Sequence, residues 1–561
     1  MKKRKDLLRD KDNFIHIVEF KEIFPHEQLP ANRLELIKTI PKNTLVWIFS
    51  HLNKLLKSPV DLNYDMTLEK QIELLKYLCN GNKEMARPYI LAMGRIYGKV
   101  RAPKNSTGIP MFISRVLCLH ALQEIVLDYN GKYQEIYTLT DDDILNLLKY
   151  IACVNEHIAV YKKRHKQQLT FHEELLSAGI VLNEPLITVM PFKIFNWYMK
   201  LIEFFQSDSR ISQHIADYFK HIGFTPQQFL HLIGTMYLED RGNYNTNRHT
   251  RDDVDGSFTH MFEFMSKNIN IRQRHELDII PIRKYPIYKI KESDRQYIIL
   301  DFVLLLEKMY EMFINDFYFD WLKAKDFMFD EYMGIVGKFF EGYCSKILNR
   351  MFEWSDSKIQ CTSENKIYVG KNEDELCDVY YREGKNILFG EMKATGIYSS
   401  HREGFTDSMF GEDKEKFYKS IGLNQLIKNI RRLHEYGEQI DEDFPTGSNT
   451  VVYPILILNE KYYRATYVPV ALQERIIAEF EKEKLPSNII VRPITVIHIS
   501  DLEAMEEMIH KRKITIWELL KRNYIKNPQK PNPISFTMER TRIPPTPVSE
   551  DFMEWLGLKE K

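Results

Sequence analysis

A short stretch in the C-terminal half of the chain constrains the fold most strongly. Glu375 to Thr395, ELCDVYYREGKNILFGEMKAT, predicts two β-strands joined by a tight turn. Leu376 to Tyr381 is short, β-branched and aromatic, and Asn386 to Lys393 is mostly apolar, as is typical of strands. Gly384 between them suits the positive φ that a hairpin turn requires. The stretch therefore predicts a hairpin within a sheet.

Side chains alternate between the two faces of a strand, and this alternation groups three charged residues. Phe389, Glu391 and Lys393 share one face of the second strand. A turn of two or four residues pairs Asp378 with Phe389 and directs Asp378 to that same face. An odd-length turn breaks this register unless a bulge restores it. We therefore expect Asp378, Glu391 and Lys393 to converge at one end of the hairpin.

The expected cluster of two carboxyl groups and one ammonium among apolar residues can be interpreted in two ways. Burying these groups is costly without compensation. Asp378, Glu391 and Lys393 either form a salt-bridged strand pair or build a divalent-metal site. Carboxylate oxygens are hard ligands that suit Mg²⁺ or Mn²⁺, and the backbone carbonyl of Met392 can add a third ligand. Lys393 would then hold or activate the attacking water and offset the charge of a phosphate.

A helix is predicted before the hairpin, from Gly334 to Phe352. Its apolar stripe consists of Phe340, Tyr343, Ile347 and Met351. Glu341 lies beside this stripe, one turn after Gly337. Because Gly337 has no side chain, we expect it to let the helix approach the sheet closely.

A second helix is predicted after the hairpin, from Gly422 to Tyr436. Its apolar stripe consists of Leu426, Ile430 and Leu433. Another face carries, at helical spacing, Gln425, Lys428 and Arg432.

Taken together, these elements resemble the PD-(D/E)xK, or restriction-endonuclease-like, nuclease superfamily. The core of that family runs helix, strand, Asp-bearing strand, ExK-bearing strand, helix and strand, and the resemblance covers about Glu331 to Tyr524. It implies an α/β core with a mixed central sheet flanked by helices, and hydrolysis of a phosphodiester by Mg²⁺-activated water. The chain departs from the family motif at Cys377, which stands where the family has proline.

The resemblance also implies roles for individual residues. Asp378 and Glu391 would bind Mg²⁺ or Mn²⁺, with Glu341 as a further ligand. Lys393 would position the water and stabilise the charge at phosphorus. Gln425 would be a catalytic residue that orients the nucleic acid strand. Lys428 and Arg432 would bind the nucleic acid and help to orient it.

Composition excludes several classes of protein. The 561 residues include 78 basic and 78 acidic residues, so the chain is no bulk polycation and any nucleic-acid affinity must be local.

The six cysteines form no CxxC pair, which argues against a zinc site or a disulfide framework and favours a reducing, cytoplasmic location. The basic start, Met1 to Lys5, is not followed by an apolar run, so no signal peptide is predicted. The longest apolar stretch, Tyr297 to Leu306, is too short to span a membrane.

The overall prediction is an α+β protein of several domains. Residues 1–238 form a mainly α-helical recognition or regulatory region. Residues 239–325 contain a polar loop, a strand pair and a connecting helix, residues 326–526 form the nuclease-like domain, and residues 527–561 form a proline-rich tail that is expected to be irregular.

The predicted function is that of a Mg²⁺-dependent nuclease acting on nucleic acid, with DNA as the expected substrate, in bacterial defence or a mobile element. Two alternatives stay open. The chain is a catalytically inactive nuclease-fold module that binds nucleic acid or protein, or it is a scaffold whose N-terminal helical region binds a protein partner. Metal binding through Asp378 and Glu391 discriminates the nuclease from the inactive module. A pull-down without nucleic acid that is unaffected by changes at the acidic pair identifies the scaffold.

Overall fold

The computed structural model describes residues 15–57, 64–65, 67–100, 109–131, 136, 138–164, 191–242, 250–253, 255–266, 279–290, 295–354, 359–361, 368–369, 374–395, 414–445, 449–465, 468–525 and 531–541. The chain divides into two compact units. Unit 1 comprises Met1–Lys166, Ala216–Phe313 and Glu403–Phe405. Unit 2 comprises Gln167–Ile215, Ile314–Arg402 and Thr406–Lys561.

Helices make up most of the described structure. In chain order they are α1 (Phe20–Ile23), α2 (Lys42–Leu55), α3 (Leu68–Leu78), α4 (Lys83–Val100), α5 (Arg115–Asp128), α6 (Asp141–Arg164), α7 (Pro191–Ser207), α8 (Ser212–Ile222), α9 (Pro226–Gly242), α10 (Thr259–Ser266), α11 (Ile280–Lys284), α12 (Phe302–Glu307), α13 (Glu311–Asp320), α14 (Phe329–Met351), α15 (Lys414–Ser420), α16 (Leu423–Ile440), α17 (Val468–Lys482), α18 (Ile499–His510), α19 (Ile516–Tyr524) and α20 (Ile534–Thr541). Short 3-10 helices lie at Arg33–Ile37, Leu322–Lys325 and Lys461–Arg464.

The strands are β1 (Ile15–Ile17), β2 (Ile109–Met111), β3 (Thr250–Asp252), β4 (Ile287–Lys289), β5 (Gln296–Ile299), β6 (Ile359–Cys361), β7 (Tyr368–Val369), β8 (Asp374–Glu375), β9 (Val379–Glu383), β10 (Asn386–Lys393), β11 (Thr450–Leu458), β12 (Ile489–Val491) and β13 (Thr495–His498). In unit 1, β1 pairs with β2 in parallel, and β3, β5 and β4 form an antiparallel sheet in that order. The predicted α+β class is confirmed.

A buried ion pair stabilises the interior of unit 1. Arg115 donates through Nε and Nη2 to the two carboxylate oxygens of Asp301 at 2.8 and 2.9 Å. Asp301 also accepts from the backbone N–H of Leu304 at 2.7 Å and thereby caps α12. Because both charges are paired in this way, the unit tolerates their burial.

The largest sheet is mixed and lies in unit 2. Its order is β12-β11-β10-β9-β6, and β13 also pairs with β11. β6, β9 and β10 are antiparallel neighbours, whereas β10 and β11 are parallel. α14 and α16 both pack against β10, so the two helices predicted around the hairpin lie next to its second strand.

The hairpin has a two-residue turn. Gly384 and Lys385 form the turn, and Gly384 has the expected positive φ of 59°. Phe389 consequently pairs with Tyr380 and not with Asp378, so the predicted register is wrong by two residues. Because the shift is even, Asp378 keeps the predicted face.

β11 is a central strand despite the proline at position 454. It pairs with β10 along its length, and on its other side Thr450–Val452 pair with β12 and Ile455–Leu458 with β13. Val452 accepts from Arg492 on the β12 side at 2.8 Å, and Pro454, two residues further, directs its nitrogen to that same edge, between the two short partners. A proline in a strand normally predicts an edge or a bulge. That prediction is wrong for β11, because Pro454 lies where the ladder is interrupted between β12 and β13.

The close approach expected at Gly337 occurs elsewhere. Outside the backbone of its own helix, a Cβ atom at Gly337 would have no heavy atom of the described residues within 4 Å. A Cβ atom at Gly390 would lie 2.3 Å from Cγ1 of Ile455, so it is β10 and β11 that a glycine allows to pack closely. The expectation for Gly337 is wrong, because α14 is separated from its neighbours at that position.

The predicted domain boundaries do not coincide with the two units. α7 belongs to unit 2 although its residues lie within the range 1–238. The tail, expected to be irregular, contains α20, whose Thr537 donates to Asn523 of α19 at 3.0 Å, and residues 542–561 lie outside the described residues. Among the helices described, none is long and apolar enough to cross a membrane.

Candidate active site

Three charged side chains meet at the end of the β9–β10 hairpin. Lys393 Nζ donates to Asp378 Oδ2 at 2.9 Å and to Glu391 Oε2 at 3.0 Å. The alternation of side chains along the strands therefore brings together the three residues that were expected to converge.

Backbone hydrogen bonds hold Asp378 in place. Its N–H donates to the carbonyl of Gly390 at 3.0 Å, although Gly390 pairs with Val379, so the regular ladder is displaced by one residue directly before β9. Its Oδ2 accepts from the N–H of Met392 at 2.7 Å. The N–H and carbonyl of one strand residue point to the same edge, so the Met392 carbonyl also lies on the Asp378 edge, as its predicted role as a metal ligand requires.

The site is buried at its carboxyl groups and reaches solvent through its lysine. Asp378 is 2% exposed and Glu391 is 0% exposed. The Lys393 side chain is 25% exposed. Among the described residues of the site, the lysine is therefore the one that connects the two carboxyl groups to solvent.

The electrostatics of the site are unbalanced, because two carboxyl groups share one ammonium. Burial, together with the neighbouring Asp378, raises the pKa of Glu391 well above its ordinary 4.5. Burial on its own would lower the pKa of Lys393, but attraction to Asp378 and Glu391 outweighs it and raises that pKa. Glu391 Oε1 is buried and has no hydrogen-bond partner within the described part of the chain. A cation at this oxygen would supply both the missing charge and the missing partner.

α16 begins directly against the site. Its N-cap residue Gly422 has φ 79°, and a Cβ atom there would lie 3.1 Å from Cε of Lys393 and 3.2 Å from Cβ of Glu391. Any larger residue would therefore push on the lysine stem. The glycine permits both the left-handed backbone and the close approach of the helix.

The other end of α16 is fixed to the same hairpin. Tyr380 donates through its hydroxyl to Asp441 at 2.8 Å, and Arg382 forms an ion pair with the same carboxylate. Asp441 is the C-cap residue of α16. Because the helix is held at both ends, its orientation over the face carrying Glu391 is set by β9 and β10.

The opposite face of the sheet is covered by other elements. Phe352, which follows α14, stacks on Tyr381 at 3.9 Å between ring centroids, and Trp517 of α19 stacks on the same ring at 5.8 Å. Tyr381 points away from the face of Asp378, because the two are three residues apart on the strand. The site therefore lies on the α16 side of the sheet.

The residues predicted to contact nucleic acid lie along α16. Gln425 is half-buried and lies about one helical turn after Gly422. Its side chain makes no hydrogen bond to another described residue. Lys428 is exposed, and the guanidinium of Arg432 lies 4.9 Å from the ring centroid of Tyr436. The roles of these three residues stay predictions.

Glu341 is half-buried on α14. Within the described ranges, no group of three or more histidine, cysteine, aspartate or glutamate side chains is arranged to hold a metal ion. Glu341 therefore does not complete such a group with Asp378 and Glu391, and its role as a ligand stays a prediction. The donors brought together are two carboxyl groups and the nearby Met392 carbonyl.

Two residues important to the site geometry were not singled out from the sequence. The sequence marks Gly422 only as the start of a helix, through a glycine directly before an amphipathic segment. Asp441 gave no local signal, because its partners Tyr380 and Arg382 lie about sixty residues earlier. No family model, curated protein or solved structure matches the chain.

Proposed function

We propose that unit 2 carries a metal-dependent nuclease that hydrolyses phosphodiester bonds of nucleic acid, DNA in the first instance. The observation that carries this proposal is the buried pair of carboxyl groups at Asp378 and Glu391, in which Glu391 Oε1 has no described partner. Such a pair is costly unless a cation compensates it. Mg²⁺ and Mn²⁺ prefer the hard oxygen donors present here.

The order of elements supports the resemblance to the PD-(D/E)xK superfamily. Around the site the chain runs α14, β6, β9, β10, α16 and β11, with the short strands β7 and β8 inserted before β9 and the short helix α15 before α16. This is the family order of helix, strand, Asp-bearing strand, ExK-bearing strand, helix and strand. The parallel pairing of β10 and β11 follows from the helix that connects them.

Each residue of the site has a chemical task under this proposal. Asp378, Glu391 and the Met392 carbonyl would hold the metal ion, which when bound lowers the pKa of a water molecule and neutralises phosphate charge. Lys393, the ammonium nearest to solvent, would donate hydrogen bonds to the water and to a phosphate oxygen. Gln425 would orient the strand next to the start of α16.

The proposal is tested by incubating the purified protein with plasmid, linear single-stranded DNA and RNA, in Mg²⁺, Mn²⁺ or chelator. We expect cleavage with metal and none with chelator. Glu391→Gln removes a ligand and Lys393→Met removes the ammonium, and each should lower the cleavage rate by about 10²-fold or more.

A matched control lies in the same hairpin. Lys385 is exposed in the turn, so Lys385→Met removes a positive charge of the same type without touching the site. Lys385→Met should cleave at the wild-type rate. Wild-type rates in Glu391→Gln or Lys393→Met, with the fold intact by circular dichroism, would contradict the assignment.

One observation favours a second candidate, an inactive binding module. Lys393 bridges both carboxyl groups, as it would in a purely structural ion pair. Under that reading the protein binds nucleic acid or a protein partner without hydrolysis, binding is insensitive to chelator, and Glu391→Gln leaves it unchanged. Binding titrations with and without Mn²⁺ separate the two candidates.

A further inference from the structure

The position of the Lys393 ammonium raises a question that the proposed chemistry leaves open. Lys393 Nζ lies 2.9 Å from Asp378 Oδ2 and 3.0 Å from Glu391 Oε2, so one cation already occupies the space between the two carboxyl groups. A Mg²⁺ ion binds carboxylate oxygens at about 2.0–2.1 Å. An ammonium and a divalent ion that share these oxygens would repel each other strongly in a buried site.

Among the described residues, Gly422 closes one side of the Lys393 stem, and the ammonium end is the part of the site that reaches solvent. Gly422 bounds the lysine stem, since even a Cβ atom at that position would lie 3.1 Å from Cε and 3.2 Å from Cγ of Lys393. The carboxyl groups themselves are buried. The Lys393 side chain is 25% exposed, so its free path leads towards solvent, from where a nucleic acid would approach.

We propose that Lys393 is an internal competitor for the metal. Its ammonium serves as the cation for the two carboxyl groups while the metal is absent, and it must swing outward before the metal binds both carboxylates. This inference rests on the metal site of the proposed function. An ammonium displaced towards solvent needs a new anion, and a phosphate group of bound nucleic acid provides one. Metal and nucleic acid therefore bind with positive coupling, and each tightens the binding of the other by the same factor.

The consequence is a site that loads metal poorly until substrate is present. In the free protein the metal must displace the Lys393 ammonium from its hydrogen bonds to both carboxyl groups. In the complex with nucleic acid the ammonium has already been drawn away, so the metal meets an open pair of carboxyl groups. Removal of the lysine charge should open the site permanently.

The test is a titration of the full-length protein with Mn²⁺, followed by isothermal calorimetry and by the loss of the electron paramagnetic resonance signal of free Mn²⁺. Wild type, Lys393→Met, Lys393→Gln and the control Lys385→Met are compared, with folding checked by circular dichroism. In the absence of nucleic acid, Lys393→Met and Lys393→Gln should bind Mn²⁺ about tenfold tighter or more, because a repelling charge is gone. Lys385→Met should bind as wild type.

The coupling is measured by repeating the titration with a phosphorothioate oligonucleotide, which resists hydrolysis. The oligonucleotide should tighten Mn²⁺ binding to wild type and leave the affinity of Lys393→Met unchanged. Glu391→Gln, which removes a ligand, should bind no Mn²⁺ with or without the oligonucleotide.

The outcomes separate this inference from the proposed function. Mn²⁺ binding that depends on Glu391 but is equal or weaker in both lysine variants overturns the competition and leaves the metal site intact. No Mn²⁺ binding in wild type and in both folded lysine variants overturns the metal site and the competition together. If Lys393→Met fails to fold, Lys393→Gln, which keeps a polar end for the carboxyl groups, decides the question.

Discussion

At the scale of single residues, Glu391 is the group whose energetics depend most on the site. Burial and the neighbouring Asp378 raise its pKa above the ordinary 4.5, so the folded protein without metal keeps a proton that the unfolded chain loses. Stability conferred by such a group is fully present below pH 4.5 and is lost as the pH rises towards the folded value. At neutral pH the free site therefore weakens the fold.

We expect Glu391→Gln to be more stable than wild type at pH 8 in chelator, and close to wild type at pH 4.5. The gain should grow by about 1 kcal/mol per pH unit above 4.5, until the folded pKa is reached. Urea unfolding followed by circular dichroism at several pH values measures it. Mg²⁺ should stabilise wild type at pH 8 and leave Glu391→Gln unaffected.

The control for this prediction is Glu435→Gln, because Glu435 is an exposed glutamate on α16. It should unfold as wild type at every pH. A Glu391→Gln variant that is less stable than wild type at pH 8 would show that Glu391 is ionised and satisfied in the free protein.

The convergence of the site was predictable from the sequence, but its pairing was not. Any even turn places Asp378 on the face of Glu391 and Lys393, so side-chain alternation alone groups the three residues. The partner of each residue depends on turn length, and Gly384 is compatible with two lengths. The structure adopts the shorter turn and pairs Phe389 with Tyr380.

At the scale of elements, α16 depends on the glycine at its start. Gly422→Ala adds a Cβ atom at a left-handed φ of 79° and places it 3.1 Å from Lys393 Cε. The backbone strain alone should cost roughly 1–2 kcal/mol, and displacement of the lysine should alter Mn²⁺ affinity as well. Chemical denaturation and Mn²⁺ titration of the same samples measure both effects.

A glycine in the interior of α14 is the matched control. Gly337 has open space around a Cβ atom, so Gly337→Ala should stabilise the protein by about 0.5–1 kcal/mol through its helix propensity. It should leave Mn²⁺ affinity unchanged. Equal stability changes of the same sign in both variants would show that the contact at Gly422 has no special cost.

The start of α18 shows where local sequence signals fail. The sequence SDLE at Ser500 to Glu503 is a capping box, yet the N-cap residue is His498, whose Nδ1 accepts from the N–H of Ser500 at 3.2 Å. His498 Nε2 then donates to the carbonyl of Asn459 at 3.1 Å. Glu503 is unavailable as a capping residue because it bonds Trp197, a partner that no local pattern reveals.

His498 should make the fold sensitive to acid. Burial, together with the nearby Arg464, lowers the pKa of His498 well below 6.5. As the pH falls below 6.5, the His498 imidazole therefore stays neutral in the folded protein, whereas it takes up a proton in the unfolded chain. This contribution to stability is complete above pH 6.5 and is lost as the pH falls, by about 1 kcal/mol between pH 6.5 and 5.5. Thermal unfolding of wild type and His498→Asn at both pH values measures the difference.

Asparagine can retain the capping acceptor but does not titrate, so the acid loss should shrink in His498→Asn. His434, exposed on α16, supplies the control, and His434→Asn should keep the full acid loss. An identical pH slope in all three proteins would mean that His498 does not carry this sensitivity.

At the scale of the whole molecule, unit 2 incorporates a helix from an earlier part of the chain. Glu503 of α18 accepts from Trp197 Nε1 and from the hydroxyl of Tyr343, both at 2.7 Å, and lies 3.2 Å from Lys193 Nζ. Lys193 also donates to the carbonyl of Ser500 at 2.5 Å. α7 thus supplies two partners of a glutamate that is 6% exposed.

This arrangement explains why domain boundaries were harder to predict than helices. The amphipathic patterns of α14 and α16 are local, and the sequence places both helices within a few residues of their observed limits. The membership of α7 in unit 2 is a long-range property, encoded in the complementarity of Trp197 and Lys193 with Glu503. The periodicity of a helix shows which of its faces is apolar, but it does not show which element packs against that face.

We therefore expect residues 314–561, expressed without α7, to be unstable, because Glu503 is left buried without two of its partners. Losing the partner of a buried charge costs about 3–5 kcal/mol, a large fraction of the stability of a domain.

A synthetic peptide of residues 191–207 should restore cooperative thermal unfolding of this fragment and raise the midpoint of unfolding as the peptide concentration increases. Binding is followed through the fluorescence of Trp197. The same peptide with Trp197→Ala should restore little, since it lacks the indole donor and the buried ring. A fragment that unfolds cooperatively at the same temperature with either peptide or with none would show that unit 2 is complete without α7, and the boundary predicted at residue 326 would then be adequate.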